Sequence, residues 1–198
     1  MLFRSLLGLG ANVGNREANL RWALGRLAEC GQVGPVSALY ETEPEGVPGQ
    51  PPYLNAATRF LTDLGPPAVL EFIALVERLL GRRPGPVQAP RPIDIDILLF
   101  DDLVLDTPAL TIPHPRLHLR RFVLQPLVDI AAERPHPLLG QTMRELLDAL
   151  PDAAWVRPYR RQWYPMGRDV TLGGSQAPEP DTPPERSHET ERDHPPTH

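Results

Sequence analysis

An α+β fold, with a ferredoxin-like β-α-β-β-α-β core and additional short strands and C-terminal helices in α/β/α layers, is what the order of periodicities along this chain predicts. Three observations carry the prediction. Two segments repeat apolar residues at helical spacing, the strand-like runs between them come as an adjacent pair, and two further helical signals follow the last long strand.

Leu2 to Gly10 reads as the first strand and ends in Gly10-Ala11-Asn12-Val13-Gly14-Asn15. Asn15 suits the N-cap of a helix running to about Cys30, with Leu20, Ala23, Leu24 and Leu27 on one face and Gly31 closing it. Val33 to Tyr40 reads as the second strand. A Gly- and Pro-rich loop, Glu41 to Pro52, leads to the third strand, Tyr53 to Leu61, where Leu54, Ala56, Thr58 and Phe60 alternate with Tyr53, Asn55, Ala57 and Arg59. Pro66 and Pro67 open a second helix that turns Leu70, Ile73, Val76 and Leu80 inward, and Gly81 ends it. A fourth strand ends at Phe100, Asp101-Asp102 forms a turn, and Leu103 to Leu105 makes a short strand. Phe122 to Ile130 and Thr142 to Leu150 are the added helices. In this order the loops before the third and fourth strands can meet at one side of the sheet, so substrates could bridge them.

The chain has 198 residues, 41% of them apolar, enough for one domain with a core. Residues 1–164 are expected to form that domain and 165–198 a disordered tail. From about Gly173 the composition turns to Pro, acids, Thr and His without aromatic residues. This stretch holds six acids against Arg186 and Arg192, so it carries −4 of the formal −5. A near-neutral body argues against a nucleic-acid-binding surface. Cys30 is the lone cysteine, which fits a reducing cytoplasm, and no run approaches bilayer length. All twenty basic residues are arginine, which excludes a P-loop lysine and Schiff-base chemistry.

The most informative stretch is Arg91-Pro92-Ile93-Asp94-Ile95-Asp96-Ile97-Leu98-Leu99-Phe100. Side chains two apart on a strand share a face, so Asp94 and Asp96 lie together while Ile93, Ile95 and Ile97 pack behind them. Two such charges about 6 Å apart repel by roughly 3 kcal/mol at an effective dielectric of about 20. A hard divalent cation compensates that repulsion, since Mg²⁺ accepts one or two carboxylates and fills its other positions with water and phosphate oxygens. Arginine partners or backbone amides on an edge strand are the alternative. Arg91, on a Gly- and Pro-rich loop just before the strand, favours a phosphoryl-transfer site.

The other candidates are weaker. Gly8-Leu9-Gly10-Ala11-Asn12-Val13-Gly14 fits a dinucleotide fingerprint poorly, and tight strand-to-helix packing accounts for the glycines. Tyr53 and Asn55 share a strand face and suit either a structural role or a flat heterocycle, stacked by one and hydrogen-bonded by the other. The loop from Thr111 to Phe122 gathers His114, His118, Arg116, Arg120 and Arg121 around two prolines. It reads as a solvated surface, or as a phosphate and nucleotide clamp through Arg120 or Arg121, His114 and Thr111. Glu77 lies near the end of the second helix, and Arg82 and Arg83 follow Gly81 as helix-end charges or phosphate contacts.

Taken together, Leu9-Gly10-Ala11-Asn12-Val13-Gly14, Tyr40-Glu41-Thr42-Glu43-Pro44, Gln50-Pro51-Pro52-Tyr53-Leu54-Asn55-Ala56, Glu77 to Arg82, Pro90 to Leu98, and Ile112-Pro113-His114-Pro115-Arg116 through Phe122-Val123-Leu124 resemble the 6-hydroxymethyl-7,8-dihydropterin pyrophosphokinase family of folate biosynthesis. The resemblance spans about Leu6 to Ile130. It implies that Asp94 and Asp96 hold two Mg²⁺ ions bridging ATP. The pterin would lie between Tyr53 and Phe122, with Asn55, Thr42 and Glu43 at its edge. Arg82 and Arg91 would serve the transferred phosphates, and Glu77, Ile97, Thr111, His114 and Arg120 the nucleotide. The reaction implied moves the β,γ-diphosphate of ATP to the pterin's hydroxymethyl oxygen and releases AMP, in a cytoplasmic enzyme expected to be a monomer. A non-catalytic ligand-binding module and a nucleotidyltransferase that releases pyrophosphate are the competing readings. Two departures stand out: Val87-Gln88-Ala89 replaces the family's basic-aromatic pair before Pro90-Arg91, and Ala109 stands where many members carry arginine. The first implies a weaker lid and a slower chemical step.

Overall fold

The computed structural model describes residues 2–44, 49–83, 89–151, 155–165 and 177–178. The elements run β1 (Phe3–Ala11), α1 (Arg16–Leu27), β2 (Gln32–Val36), β3 (Leu39–Thr42), β4 (Tyr53–Thr62), α2 (Pro66–Leu79), β5 (Asp94–Phe100), β6 (Leu105–Asp106), β7 (Thr111–Ile112), a 3₁₀ turn (Leu117–Leu119), α3 (Arg121–Ala131), α4 (Met143–Asp148) and β8 (Val156–Arg160). The fold is α+β. One antiparallel sheet has the order β5-β1-β4-β3-β8, with β2 also paired to β4, and β6-β7 form a separate ribbon.

Each sheet face is covered. Leu7, Leu9, Ala11, Leu54, Phe60, Ile93, Ile95 and Ile97 pack with Leu20, Leu24 and Leu27 of α1 and Val69, Ile73 and Val76 of α2. On the other face Leu6, Ala57, Leu98 and Leu99 meet Leu124 and Leu127 of α3 and Leu146 and Leu147 of α4. Burying a leucine or isoleucine is worth about 1.5 to 3 kcal/mol, so two-sided coverage makes β1, β4 and β5 the firmest strands. A register shift opposite Leu6 and Leu7 lets Leu98 and Leu99 both turn toward α3.

The expected caps hold at Asn15, whose side chain accepts from the Ala18 N–H at 3.1 Å, and at Gly81, with φ +84°. The first helix ends at Leu27 with Ala28 as its cap, three residues before the expected stop. Gly31 serves close packing instead, because a Cβ there would stand 2.5 Å from the Leu61 carbonyl and the Phe60 ring. The single second strand expected over Val33 to Tyr40 is two strands. Pro35 has no N–H for the ladder, and a bulge at Ser37-Ala38 is pinned from both sides. The Ser37 N–H donates to Ala57 O at 2.9 Å, the Ser37 hydroxyl accepts from the Ala57 N–H at 2.9 Å, and Asp129 of α3 accepts from the Ala38 N–H at 3.1 Å.

The short strand expected at Leu103 to Leu105 falls at Leu105–Asp106, because Leu103 still belongs to the turn, donating to Phe100 O at 3.0 Å. The expectation did not include β8, whose Pro158 and mostly exposed charged residues give no alternation; an edge strand tolerates both. No described helix is long and apolar enough to cross a membrane. The Val87-Gln88 departure lies outside the described residues. So does most of the expected tail, of which only Pro165, Ala177 and Pro178 are described.

Candidate active site

The alternation that sends Leu7, Leu9 and Ala11 to the α1–α2 core leaves Gly8 and Gly10 on the α3 face. Gly8 stands opposite Asp96 and Gly10 opposite Asp94 on one side; Gly10 stands opposite Asn55 on the other. The absent side chains open a channel across the middle of the sheet. A Cβ on Gly10 would lie 2.8 Å from Asn55 Oδ1, and one on Gly8 3.2 Å from Leu98 Cδ1. These glycines therefore serve the site's floor, a correction to their expected role in strand-to-helix packing. With strands about 4.8 Å apart, Asp94 and Asn55 face each other over roughly 10 Å. A cavity of about 490 Å³ fills this space.

One end is charged. Arg82 Nη1 contacts Asp94 Oδ1 at 2.6 Å and Arg91 Nη1 contacts the same oxygen at 3.2 Å. Arg82 also pairs with Glu77, whose Oε1 accepts from the Ile95 N–H at 2.9 Å. Burial pulls the Arg82 guanidinium down, but Asp94 and Glu77 together hold it above its ordinary value. Burial raises Glu77, opposed by the Ile95 amide and Arg82. Asp96 is pushed up to about 6, first by burial and then by the Asp94 charge, with Arg120, Arg82 and Arg91 pulling the other way. His114 is driven down to about 4 by burial and by Arg120 and Arg116, so its imidazole is neutral at pH 7.

The Arg91 loop is tied to the start of α1. Asn12 Oδ1 accepts from the Arg91 N–H at 2.8 Å, the Asn12 N–H donates to Arg91 O at 3.2 Å, and Asn19 Nδ2 donates to Pro92 O at 3.0 Å. The buried Asn12 also donates to Gln50 Oε1 at 3.1 Å, so one asparagine joins the two loops flanking the cavity.

The other end is neutral. Asn55 Nδ2 donates to Thr42 Oγ1 at 2.8 Å, which fixes the amide and leaves its carbonyl oxygen facing Gly10. Tyr53 and Phe122 line the space around this pair, and Arg120 stacks over Phe122 at 5.3 Å from the ring centre.

Of the residues singled out in the sequence, Arg82, Arg91, Asp94, Asp96, Thr42, Glu43, Tyr53, Asn55, Phe122, His114 and Arg120 line this one cavity. Glu77 supports it through Arg82 and Ile95. Ile97 does not line it: its side chain is buried in the core on the opposite face. Thr111 sits in the β6–β7 ribbon, its hydroxyl donating to Asp106 Oδ1 at 3.2 Å. Gly8, Gly10, Gln50 and Arg116 line the cavity without having been singled out as site residues. For the glycines the signal was present, since they alternate with apolar residues of the core face. Gln50 and Arg116 sit in loops, where no periodicity marks them.

The cavity joins a heterocycle-sized neutral end to an end with two carboxylates and several arginines, an arrangement suited to phosphoryl transfer. A model of the family described as 7,8-dihydro-6-hydroxymethylpterin-pyrophosphokinase matches residues 6–132. A Synechocystis protein named 2-amino-4-hydroxy-6-hydroxymethyldihydropteridine pyrophosphokinase is 33% identical over 177 residues, covering 88% of this chain and 86% of that protein. A Bacillus subtilis protein of the same name is 37% identical over 158 residues, with 79% and 90% covered. The mitochondrial folate synthesis bifunctional protein of Arabidopsis thaliana is 46% identical over 127 residues, 63% of this chain, and the match spans only 23% of that longer protein. Among solved structures, Plasmodium falciparum HPPK-DHPS with pteroate superimposes with a TM-score of 0.63 at 18% identity, covering 75% of this chain and 44% of that one, a likeness of fold alone.

Proposed function

The chain belongs to the 7,8-dihydro-6-hydroxymethylpterin-pyrophosphokinase family, and from that premise we propose that it transfers the β,γ-diphosphate of ATP to the hydroxymethyl oxygen of 6-hydroxymethyl-7,8-dihydropterin, releasing AMP, as a step of folate synthesis. The observation that carries the reading is the row Asp94–Gly10–Asn55, which sets a charged and a neutral half-site about 10 Å apart across an open floor. The strand order supports reading the core as ferredoxin-like, with β2 and β3 together as its second strand.

At the neutral end, Asn55 and Thr42 read the pterin's edge while Tyr53 and Phe122 flank its faces. At the charged end, the donors offered by β5 are carboxylate oxygens, and no cluster of three or more His, Cys, Asp or Glu surrounds them among the described residues. This set fits Mg²⁺, which shares its shell between protein, water and phosphate, and does not fit an all-protein cage. Asp94 and Asp96 would hold the metal, with two ions expected, and bound magnesium supplies neutralisation of the phosphate charge. Arg82 and Arg91, both on Asp94, would serve the phosphate oxygens. Arg120, whose charge acts on Asp96, reinforces them. His114, neutral at pH 7, contributes a hydrogen bond to the nucleotide rather than a charge. Transfer of this kind depends on positioning and electrostatics more than on a strong base.

Incubation with ATP, Mg²⁺ and the hydroxymethyl pterin should yield AMP and the pterin diphosphate. Release of pyrophosphate would indicate nucleotidyl transfer instead, and absence of turnover a binding module. The reading takes residues 1–164 as the catalytic domain of a cytoplasmic monomer, which sedimentation of the full chain and of a chain ending at Tyr164 checks.

A further inference from the structure

The region matched to the family ends at residue 132, yet the chain continues into α4 and β8. Strand β8 adds itself to β3 with Thr42 opposite Val156, Glu41 opposite Arg157 and Tyr40 opposite Pro158. Just before β8, the Trp155 N–H donates to Glu43 Oε1 at 3.0 Å, and Glu43 is the residue just after β3. A carboxylate acceptor makes this one of the stronger hydrogen bonds available to a backbone amide. Trp155 is itself stacked by Arg157, 4.9 Å from its ring.

The far end of the segment is anchored independently. Trp163 is 2% exposed, its indole N–H donates to Ser37 O at 2.8 Å, and Arg21 of α1 stacks on it at 5.9 Å. Arg160 contacts Glu17 of α1 at 2.9 Å. One end of β8 is therefore fixed to the body of the protein while the other grips Glu43, which lines the cavity together with Thr42 and Pro44. Without β8, the four residues of β3 would form a bare sheet edge immediately beside the neutral half-site.

We infer that residues 155–163 are part of the pterin site: the hydrogen bond from the Trp155 amide to the Glu43 carboxylate sets the wall Thr42-Glu43-Pro44, and Glu43 is a positioning residue that acts through β8. The inference rests on the pterin reading of this cavity. It assigns Glu43 a partner in the protein in place of the direct pterin contact implied by the family resemblance.

The experiment is a cycle between Glu43→Ala and removal of β8, read by affinity for the pterin, affinity for a non-hydrolysable ATP analogue, and kcat at saturating pterin. Glu43→Ala in the full chain should weaken pterin binding roughly tenfold, the range for losing a hydrogen bond to a charged group. ATP-analogue affinity and kcat should change less than about twofold, since the charged half-site is left intact. A chain ending at Pro165 should match the full chain, and one ending at Pro151 should match Glu43→Ala. Combining Glu43→Ala with the shorter chain should add nothing further. Additive losses would mean that Glu43 touches the pterin itself, and unchanged pterin affinity in both variants would mean that the latch does nothing; either overturns the inference. Should the shorter chain fail to fold, Trp155→Pro, which removes the donor N–H along with the indole, takes its place, with Trp155→Ala, which loses the indole but keeps the N–H, and Tyr159→Ala on the exposed side of β8 as the neutral controls. Amide exchange at residues 42 and 43 gives a readout that needs no pterin. Faster exchange in Glu43→Ala combined with no pterin binding by the unaltered chain would sink the assigned substrate and leave the latch standing; unchanged exchange would sink the latch.

Discussion

The two ends of the cavity solve different problems with different chemistry. At the neutral end Asn55 is already bonded to Thr42, and Tyr53 and Phe122 line the same space. At the charged end Arg82 and Arg91 lie on one oxygen of Asp94, and burial together with the Asp94 charge raises Asp96. The neutral end is held by a neutral hydrogen bond, whereas the charged end is balanced against itself, and under the proposed function Arg82 and Arg91 would exchange Asp94 for phosphate. Substitutions at the two ends should therefore fail in different ways, one in rate and the other in affinity.

The largest effect should come from Asp94→Asn and Asp96→Asn. Each is expected to lower kcat by roughly a thousandfold or more while changing pterin affinity less than about threefold, as steady-state rates and a direct pterin titration would reveal. Activity retained in either variant would erase the distinction between the ends. Next, Arg82→Ala should lower kcat by about a hundredfold, and Arg82→Lys should recover only part of it, because lysine lacks the planar fork that spans two phosphate oxygens. A lysine variant with full kcat would show that charge alone suffices there.

At the opposite end, Gly10→Ala drives a methyl against Asn55 Oδ1 and should weaken pterin binding by roughly tenfold while ATP-analogue affinity holds. If nucleotide affinity falls equally, the two half-sites are not separable.

The smallest effect is a pair of opposing slopes in stability, measured without metal or nucleotide. His114 has its folded value lowered to about 4, so the stability it contributes is present above about pH 6.5 and lost as pH falls toward 4. Asp96 has its folded value raised to about 6, so its contribution is present below about pH 4 and lost as pH rises toward 6. Their slopes nearly cancel in the unaltered protein. Urea midpoints between pH 4 and 6.5 should then rise with pH in Asp96→Asn and fall with pH in His114→Gln; parallel curves would contradict the burial of both groups.

Much of this was legible in the sequence because it is written as periodicity. The helix faces, the Asn15 cap, the strand carrying Asp94 and Asp96, and the shared face of Tyr53 and Asn55 follow from spacing alone. What escaped depends on partners far along the chain. The break at Ser37-Ala38 is held by Ala57 and Asp129, and nothing local announces it. Strand β8 carries Pro158 and exposed arginines, and it exists because β3 leaves an edge beside it and Trp163 finds a buried niche. Gly8 and Gly10 carried the right alternation, but a glycine says only that space is needed, and the structure tells for what. Ile97 illustrates the reverse: strand alternation already sent its side chain to the core, whereas the family resemblance put it beside the nucleotide.

The most direct measurement is a count of Mn²⁺ ions by electron paramagnetic resonance, in the presence of a non-hydrolysable ATP analogue and the pterin, for the unaltered chain and for Asp96→Asn. Paired carboxylates that exist to grip a divalent cation against phosphate predict two nucleotide-dependent ions in the first and fewer in the second, with pterin still bound in both. Equal metal occupancy in the two proteins would mean that Asp96 answers to the arginines around it and not to a metal.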